Sequence, residues 1–253
     1  MKFGVADYGI NVWDGGLYNL ESRLLDLKGL GFDGIERLEA VSESNALMKA
    51  AQFHKLGMDF GTCRGPNVEV SNQWTCGLGK KYVWINAGVG TREVDMDTYL
   101  RRCRKFTKEA NTFGLDAVLH NHLGSRIQFQ EEVDTFMKEC PKAKLLLDIG
   151  HLFGAGGDIV GTIEKYKNRL APAFHFKDIE MKDESIGLDD WSKRLRFCEL
   201  GAGNVGLDYK GVINALKKIG YDDWIFIEHD THMDEPVKEL KISLDILKDG
   251  FNK

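Results

Sequence analysis

The sequence has little of what nucleic-acid binding or membrane insertion requires. Lys and Arg number 34 against 39 Asp and Glu, a formal charge of −5, so there is no basic excess to neutralise phosphates. No apolar run approaches the roughly 18 to 20 residues that span a bilayer, and the beginning of the chain is too short and too soon acidic for a signal peptide. We therefore expect a cytoplasmic protein with no nucleic-acid partner and no membrane partner.

Cysteine and proline are also scarce. The five cysteines are odd in number, widely spaced and without a C-x-x-C pair, which argues against a disulfide framework and against a thiolate zinc site. The chain has only 4 prolines and no low-complexity run, and 43% of its residues are hydrophobic against 29% charged. This composition is typical of a folded globular protein with an ample core.

Short apolar runs rich in β-branched residues alternate with amphipathic segments, which is the pattern of parallel strands joined by helices. The predicted strands are Lys2–Asp7, Gly34–Leu38, Asp59–Arg64, Tyr82–Ala87, Ala117–His122, Lys144–Asp148, Ala173–Lys177 and Trp224–Glu228. An eight-stranded α/β barrel commonly takes about 250 residues as one domain. The sequence therefore predicts an α/β fold, a single (β/α)8 TIM barrel over residues 1–253, with an open doubly wound sheet as the alternative. Two connections, Pro66–Lys81 and Ile179–Gly206, are predicted to be irregular.

Histidine is concentrated where the predicted strands end. The polar side chains at or close after a strand end are His120, His122, His151, His175, His229, Asp148, Lys177, Asp178 and Glu228. Because the carboxyl ends of barrel strands converge on one face, these side chains are expected to meet. Imidazole and carboxylate without thiolate suit Mn²⁺, Co²⁺, Fe²⁺, Zn²⁺ or, less well, Mg²⁺. The hypothesis is one bound divalent ion, and a structural role stays open for any of these residues taken singly.

Other patterns are weaker. His120 and His122 alternate along one extended strand, so both rings face the same side. Aromatic side chains that follow strand ends or lie in the insertions can wall a sugar site or pack in the core: Trp13, Trp74, Phe153 and Trp191. The glycine-rich segment 201–206 lacks the order of a phosphate-binding loop and is predicted to be a turn, and no G-x-S-x-G elbow of a serine hydrolase is present.

Six short motifs at the strand ends follow one another in a characteristic order. They are H-N-H (His120–His122), L-L-D-I-G-H (Leu146–His151), A-G-G-D (Ala155–Asp158), H-F-K-D (His175–Asp178), E-L-G-A-G-N-V (Glu199–Val205) and I-E-H-D (Ile227–Asp230). In this order the chain resembles the xylose isomerase-like TIM barrel superfamily, and within it the sugar phosphate isomerase/epimerase group, over essentially its whole length. Each motif is loose by itself, and the set is specific for the superfamily rather than for a substrate.

The resemblance implies one divalent metal ion, often Mn²⁺, with Zn²⁺, Co²⁺ or Mg²⁺ as alternatives. Its ligands would be Asp148, His175 and Glu228, with His120 on the fifth strand. His120 departs from the commonest pattern, which has a glutamate there, so the site would lose a negative charge and a carboxylate base. The inosose dehydratase branch also carries a histidine-rich fifth strand. His151 resembles the residue that hydrogen-bonds a substrate oxygen.

The expected function is a metal-dependent isomerase or epimerase acting on a small sugar or keto sugar. Glu228 or His122 would remove the proton next to the carbonyl, with Lys177 assisting, and the metal would stabilise the enediolate. The substrate-binding candidates are His151, Trp13, Arg196 and Glu199. Because few Arg or Lys residues lie at strand ends, a non-phosphorylated substrate is preferred.

Alternatives from other classes stay open. An inosose dehydratase-like lyase would eliminate from a keto polyol or keto glycoside, and a non-catalytic sugar-binding barrel would account for the departure at His120. A metal-dependent endonuclease for abasic DNA is disfavoured, because the acidic chain has too few histidines and no basic stripe. The sequence leaves the formation of homo-oligomers open.

Overall fold

The structure, a computed structural model, describes residues 1–6, 19–86, 92–229 and 235–252. Its strands are β1 (Lys2–Val5), β2 (Gly34–Glu39), β3 (Asp59–Arg64), β4 (Tyr82–Trp84), β5 (Asp116–His120), β6 (Lys144–Leu146), β7 (Ala173–Phe176), β8 (Asp178–Met181), β9 (Leu195–Cys198) and β10 (Trp224–Ile227). Its helices are α1 (Leu20–Leu30), α2 (Glu43–Lys55), α3 (Val68–Gly77), α4 (Met96–Thr112), α5 (Gln130–Glu139), α6 (Ile149–Gly154), α7 (Ile159–Tyr166), α8 (Trp191–Arg194), α9 (Tyr209–Lys218) and α10 (Pro236–Phe251).

Eight of these strands form a parallel barrel, which confirms the predicted fold. Five strands pair side by side in the order β3, β2, β1, β10 and β7, and β4, β5 and β6 form the remaining arc. A parallel bridge between Asp148 and His175 joins the two arcs at one seam. At the other seam, the Thr62 hydroxyl of β3 donates to the Tyr82 carbonyl of β4 at 2.6 Å. The strands therefore follow chain order around the barrel, with β10 as the eighth.

The helices surround the barrel and bury one stripe each against it. In α4 the buried apolar positions recur every three or four residues, at Tyr99, Leu100, Cys103, Phe106 and Ala110. This spacing places them on one side of a helix with 3.6 residues per turn. None of the helices in the described ranges is long and apolar enough to cross a membrane.

The barrel interior mixes aromatic rings with buried charges. Tyr82 and Phe226 fill it from opposite sides, and both are at most 1% exposed. A Cβ at Gly61 would lie 2.4 Å from the Tyr82 hydroxyl, and one at Gly4 would lie 2.6 Å from the Phe226 ring. Glycine at these two strand positions therefore makes room for the rings. Glu36 of β2 is fully buried beside them.

The expectation that residues 66–81 form an irregular connection is wrong. Helix α3 occupies most of this segment, and the Asn67 side chain caps it by accepting a hydrogen bond from the Val70 amide at 2.9 Å. Its buried Trp74 packs under Gly65, and the Thr75 hydroxyl contacts the backbone of Cys63. Tertiary packing on β3 and an asparagine cap stabilise a helix whose β-branched residues give it a low intrinsic propensity.

The segment 179–206 is also more regular than predicted. It contains an antiparallel hairpin in which β8 pairs with β9, with Ile179 opposite Phe197 and Glu180 opposite Arg196. The apolar members, Ile179 and Phe197, are buried. The glycine-rich stretch after β9 is a turn, as predicted, and Gly201 and Gly206 adopt positive φ angles there.

Candidate active site

The carboxyl ends of β5, β6, β7 and β10 bring the central polar side chains together. His120 ends β5, Asp148 follows β6, His175 lies in β7 and Glu228 follows β10. Asp148 is also the N-cap of α6, because its Oδ1 accepts a hydrogen bond from the His151 amide at 2.8 Å. This cap fixes the carboxylate so that its other oxygen, Oδ2, points to the remaining groups.

Four side chains offer donor atoms that all lie within 4.8 Å of one another: His120, Asp148, His151 and Glu228. We call this set the donor cluster. Nε2 of His120 lies 3.3 Å from Asp148 Oδ2 and 3.6 Å from Glu228 Oε2. All four are buried or nearly so. The sequence predicted His175 as the fourth ligand and His151 as a contact to the substrate. The donor cluster instead contains His151 and not His175.

Lys177 inserts its ammonium group into the donor cluster. Its Nζ lies 2.9 Å from Asp148 Oδ2, 2.8 Å from Glu228 Oε2 and 3.1 Å from His151 Nε2. The side chain is fully buried, and a Cβ at Gly150 would lie 2.3 Å from its Cγ. The glycine at this position of α6 is what lets the lysine pass beneath the helix. The prediction that Lys177 lies at the site is supported by this placement.

His175 lies beside the donor cluster and is held from both sides by carboxylates. Its Nδ1 is 2.9 Å from Glu228 Oε2 and 3.5 Å from Asp148 Oδ2, and its Nε2 is 2.9 Å from Glu36 Oε2. The Tyr82 hydroxyl and the Trp84 indole both donate to Glu36 Oε1, at 3.0 and 2.9 Å. Glu36 carries no signal in the sequence, because a glutamate within a strand looks like an ordinary outward-facing residue.

The protonation states follow from burial and neighbouring charges. Burial lowers the pKa of the His120 imidazole below 6.5 despite the nearby carboxylates, so the ring is neutral and free to coordinate. Burial would raise the pKa of the Asp148 carboxyl, but Lys177 and the neighbouring histidines hold it well below 3.8. For His175, burial is outweighed by Glu228 and Glu36, which raise its pKa well above 6.5.

The donor cluster fits a divalent cation. Two imidazoles and two carboxylates are a donor set that Mn²⁺, Co²⁺ and Zn²⁺ accept. Donor atoms that share one ion at bond lengths of about 2.0–2.2 Å lie at most about 4.4 Å apart, so the cluster, whose atoms lie within 4.8 Å of one another, would contract slightly around a bound ion. The carboxylates of Asp148 and Glu228 already surround the ammonium of Lys177, which shows that this position favours positive charge.

The β8–β9 hairpin and α8 cover the cluster with aromatic rings. Trp191 meets the rings of His122 and His151 edge to face, at centroid distances of 5.9 and 6.1 Å. Phe197 lies 4.7 Å from the His151 ring. The rings of His122 and His151 are themselves 3.7 Å apart, so His122 reaches the cluster. It does so from beyond the end of β5, and not through the predicted alternation along the strand. Such apolar cover limits water access around the polar groups.

The remaining predicted substrate contacts lie elsewhere. Arg196 pairs with Glu180 across the hairpin, and Glu199 follows β9. No contact between Glu199 and the donor cluster is seen among the described residues. Trp13 lies outside the described residues. The roles of these three in substrate binding stay predictions.

A cavity of about 530 Å³ adjoins the donor cluster on the side of β2, β3 and β4. His120 belongs both to its wall and to the cluster, and Trp84 packs against the His120 ring at 4.7 Å. The volume lies in the range typical of small-molecule sites. A substrate in this cavity would therefore reach the donor cluster past His120.

Fold and site together define a TIM barrel with a cluster of potential cation ligands at the carboxyl ends of its strands. The family model described as "Xylose isomerase-like TIM barrel" matches residues 77–250. The chain therefore belongs to the xylose isomerase-like TIM barrel family, which confirms the resemblance.

Individual relatives show what the chain is similar to. It is 32% identical over 121 residues to an inosose dehydratase of Geobacillus thermodenitrificans, a match covering 46% of this chain and 40% of that protein. The fold is similar to that of a D-psicose 3-epimerase from Clostridium cellulolyticum, with a TM-score of 0.72, 16% identity and 99% of both chains covered. An IolI protein with a bound zinc atom is similar in fold over 100% of both chains, with a TM-score of 0.70 and 16% identity.

Proposed function

We propose that the protein is a metal-dependent enzyme that removes the proton next to the carbonyl of a small keto sugar or keto polyol. The observation that carries this proposal is the donor cluster, buried at the carboxyl ends of the strands and opening on a cavity of about 530 Å³. Active sites of this fold are built at that end of the barrel. The family membership and the inosose dehydratase relatives support the same class of substrate.

The ligands proposed for the ion are His120, Asp148 and Glu228, with His175 or His151 as the fourth. When bound, a divalent ion would polarise the substrate carbonyl and stabilise negative charge on its oxygen. Mn²⁺ is the first candidate, and Zn²⁺, Co²⁺ and Mg²⁺ are the alternatives. The neutral His120 and the ionised Asp148 are already in the protonation states that ligands need.

Glu228 is the proposed base, and Lys177 and His151 form the route by which its proton moves. The ammonium of Lys177 contacts both Glu228 Oε2 and His151 Nε2, so a proton taken up by the carboxylate lies within one hydrogen-bonded chain. Returning it to the neighbouring carbon completes an isomerisation, whereas delivery of a proton to the opposite face of the same carbon completes an epimerisation. His122, whose ring packs at a tilt against that of His151, is the alternative base.

Elimination is the second candidate outcome. An epimerase that works from two faces needs a base on each, and β5 supplies His120 where a second carboxylate would be. Removal of the proton followed by loss of a β-hydroxyl, which takes up a proton and leaves as water, needs only one base and one acid. The curated relatives named as inosose dehydratases favour this outcome.

Exchange in deuterated water tests the proposal and separates its two outcomes. The Mn²⁺-loaded protein is incubated with a panel of keto sugars and inososes in D₂O and followed by NMR. Deuterium in a rearranged or recovered ketose identifies an isomerase or epimerase, whereas loss of water identifies a dehydratase. Glu228→Gln should abolish either reaction, and Glu164→Gln, an exposed residue paired with Lys218, should leave it unchanged. Metal binding without any exchange would instead favour a non-catalytic sugar-binding barrel.

A further inference from the structure

Three arginines line the cavity beside the donor cluster. They are Arg37 of β2, Arg64 at the end of β3 and Arg126, which follows β5. Among the described residues of the cavity wall there is no Asp and no Glu. The wall is therefore cationic although the chain as a whole carries a formal charge of −5. A cavity of this charge favours an anionic ligand over a neutral one.

Arg126 belongs to a group of charges with a net positive excess. Arg92 holds the Glu132 carboxylate with two hydrogen bonds of 2.9 and 2.6 Å, and Arg126 contacts the same carboxylate at 3.1 Å. Two guanidinium groups thus share one carboxylate. The Nε of Arg126 is buried and has no hydrogen-bond partner in the described part of the chain. A buried donor in this state is a natural contact for a ligand oxygen.

Arg37 of β2 and Arg64 of β3 provide the positive charge on another part of the cavity wall. The Arg37 guanidinium lies 4.8 Å from the centroid of the Trp84 ring, which also packs against His120. Arg64 contacts Glu39 at 3.3 Å, and both side chains are largely exposed, so this pair is weak and open to rearrangement. Guanidinium groups bind carboxylate and phosphate through paired hydrogen bonds.

We infer that the substrate carries an anionic group, a carboxylate or a phosphate ester, which Arg37 and Arg126 bind while the keto end reaches the donor cluster past His120. This inference rests on the proposed function and names its substrate class. A phosphate ester would reverse the preference for a non-phosphorylated substrate that the scarcity of basic residues at strand ends suggested, whereas a carboxylate would agree with it. Arg37 lies within a predicted strand, so its place in the cavity wall follows only from the tertiary structure.

The test compares three sugars that share a ring and differ at one carbon. D-Glucose, D-glucuronate and D-glucose 6-phosphate are titrated into the Mg²⁺-loaded protein by calorimetry, with fluorescence of the cavity residue Trp84 as a second signal. At least one of the two anionic sugars should bind about ten times more tightly than glucose or better, because charge-assisted hydrogen bonds are involved. Which of the two binds more tightly separates a carboxylate from a phosphate substrate.

Substitutions in the cavity wall test whether its arginines cause the preference for anionic sugars. Arg37→Met and Arg126→Met should each reduce it by roughly tenfold, and the exposed Arg102→Met on α4 should leave it unchanged. Melting temperature and metal stoichiometry check that the variants fold. Equal binding of charged and neutral sugars, failure of both anionic sugars to bind, or a preference that survives both substitutions would overturn the inference.

The two proposals fail separately. Proton exchange on neutral ketoses by a protein with no preference for anions would leave the proposed function standing and remove this inference. If the protein prefers anions through its arginines but catalyses no proton exchange, this inference stands and the proposed function fails.

Discussion

The two sides of the barrel mouth differ in how their charges are used. At β5, β6, β7 and β10, charged side chains form a closed network in which Lys177 contacts Asp148, Glu228 and His151. Beside β2, β3 and β4, the arginines Arg37 and Arg64, together with Arg126 from the loop after β5, line an open cavity whose described wall holds no carboxylate. The first arrangement suits bond making and breaking, and the second suits recognition. In line with the two proposals, we call the first group, at β5, β6, β7 and β10, the reaction side and the second group, at β2, β3 and β4, the recognition side.

The largest expected effect on stability comes from removing the ammonium group. Lys177→Met leaves Asp148 and Glu228 buried without their cation, and losses of about 3–5 kcal/mol are typical when a buried ion pair is broken. Saturating Mn²⁺ should restore much of the loss, since it supplies positive charge at the same place. The measurement is the free energy of unfolding with and without metal.

Lys144→Met is the matched control for this prediction. Lys144 pairs with Asp116 at 2.7 Å, but both side chains are about one-third exposed. Its loss should cost less than about 1 kcal/mol and should not depend on metal. Equal losses in the two variants would contradict the view that the network around Lys177 is special.

Asp148→Asn should have the largest effect on metal binding and turnover. It keeps the cap of α6, since asparagine caps helices well, but removes the charge that faces His120 and Lys177. Activity should fall by about 10²- to 10³-fold. Asp158→Asn changes the same residue type at the N-cap of α7, outside the donor cluster, and should bind metal normally. Metal content by elemental analysis separates the two variants.

Glu36→Gln tests whether a residue of β2 supports metal binding at the donor cluster. Glu36 orients His175, and loss of such supporting carboxylates typically weakens metal binding by about 10- to 100-fold. Titration with Co²⁺, followed by its visible spectrum, measures the affinity and the ligand geometry. Glu43→Gln, an exposed change in α2, is the control. An unchanged affinity would show that Glu36 has only a structural role.

The smallest expected effect is on the pH dependence of the free energy of unfolding, through Glu132, the carboxylate that Arg92 and Arg126 share. Burial tends to raise the pKa of Glu132, but hydrogen bonds from Arg92 and from the Gln128 and Phe129 amides lower it below its usual 4.5. Its contribution to stability is therefore complete above about pH 4.5 and is lost as the pH falls through the lower pKa of the folded state. Glu132→Gln should cost about 1–3 kcal/mol at pH 7.

Acid titration of the unfolding free energy checks this prediction. The difference between Glu132→Gln and the unchanged protein should shrink below pH 4.5, since the carboxyl is then increasingly protonated. Glu131→Gln, exposed in the same turn of α5, should show no such difference. A gap that stays constant as the pH falls would contradict the assigned charge pairing.

The reaction side was predictable from the sequence because its residues follow strand ends. His120, Asp148 and Glu228 each lie where a barrel directs side chains to one face, and their types indicate a metal. The part played by His151 was harder to predict. It depends on α6 starting directly at Asp148, which places the imidazole one helical turn from the carboxylate.

The recognition side was predictable only in part, because Arg64 and Arg126 lie at or after the ends of predicted strands whereas Glu36 and Arg37 carry no local signal. Glu36 and Arg37 are adjacent members of an ordinary amphipathic strand, and their different roles arise from packing against Trp84 and His175. Helix α3, which contributes to the cavity wall, was missed because its β-branched residues have a low helix propensity and much of its stability comes from contacts with β3. Tertiary context, rather than periodicity, decides such positions.

The most direct test of the account is a titration of the metal-free protein with Mn²⁺, followed by electron paramagnetic resonance. The account predicts one tightly bound ion per chain, with binding lost in His120→Ala and in Asp148→Asn and retained in Asp158→Asn. Weak binding without a defined stoichiometry, or tight binding that survives both substitutions in the donor cluster, would contradict it.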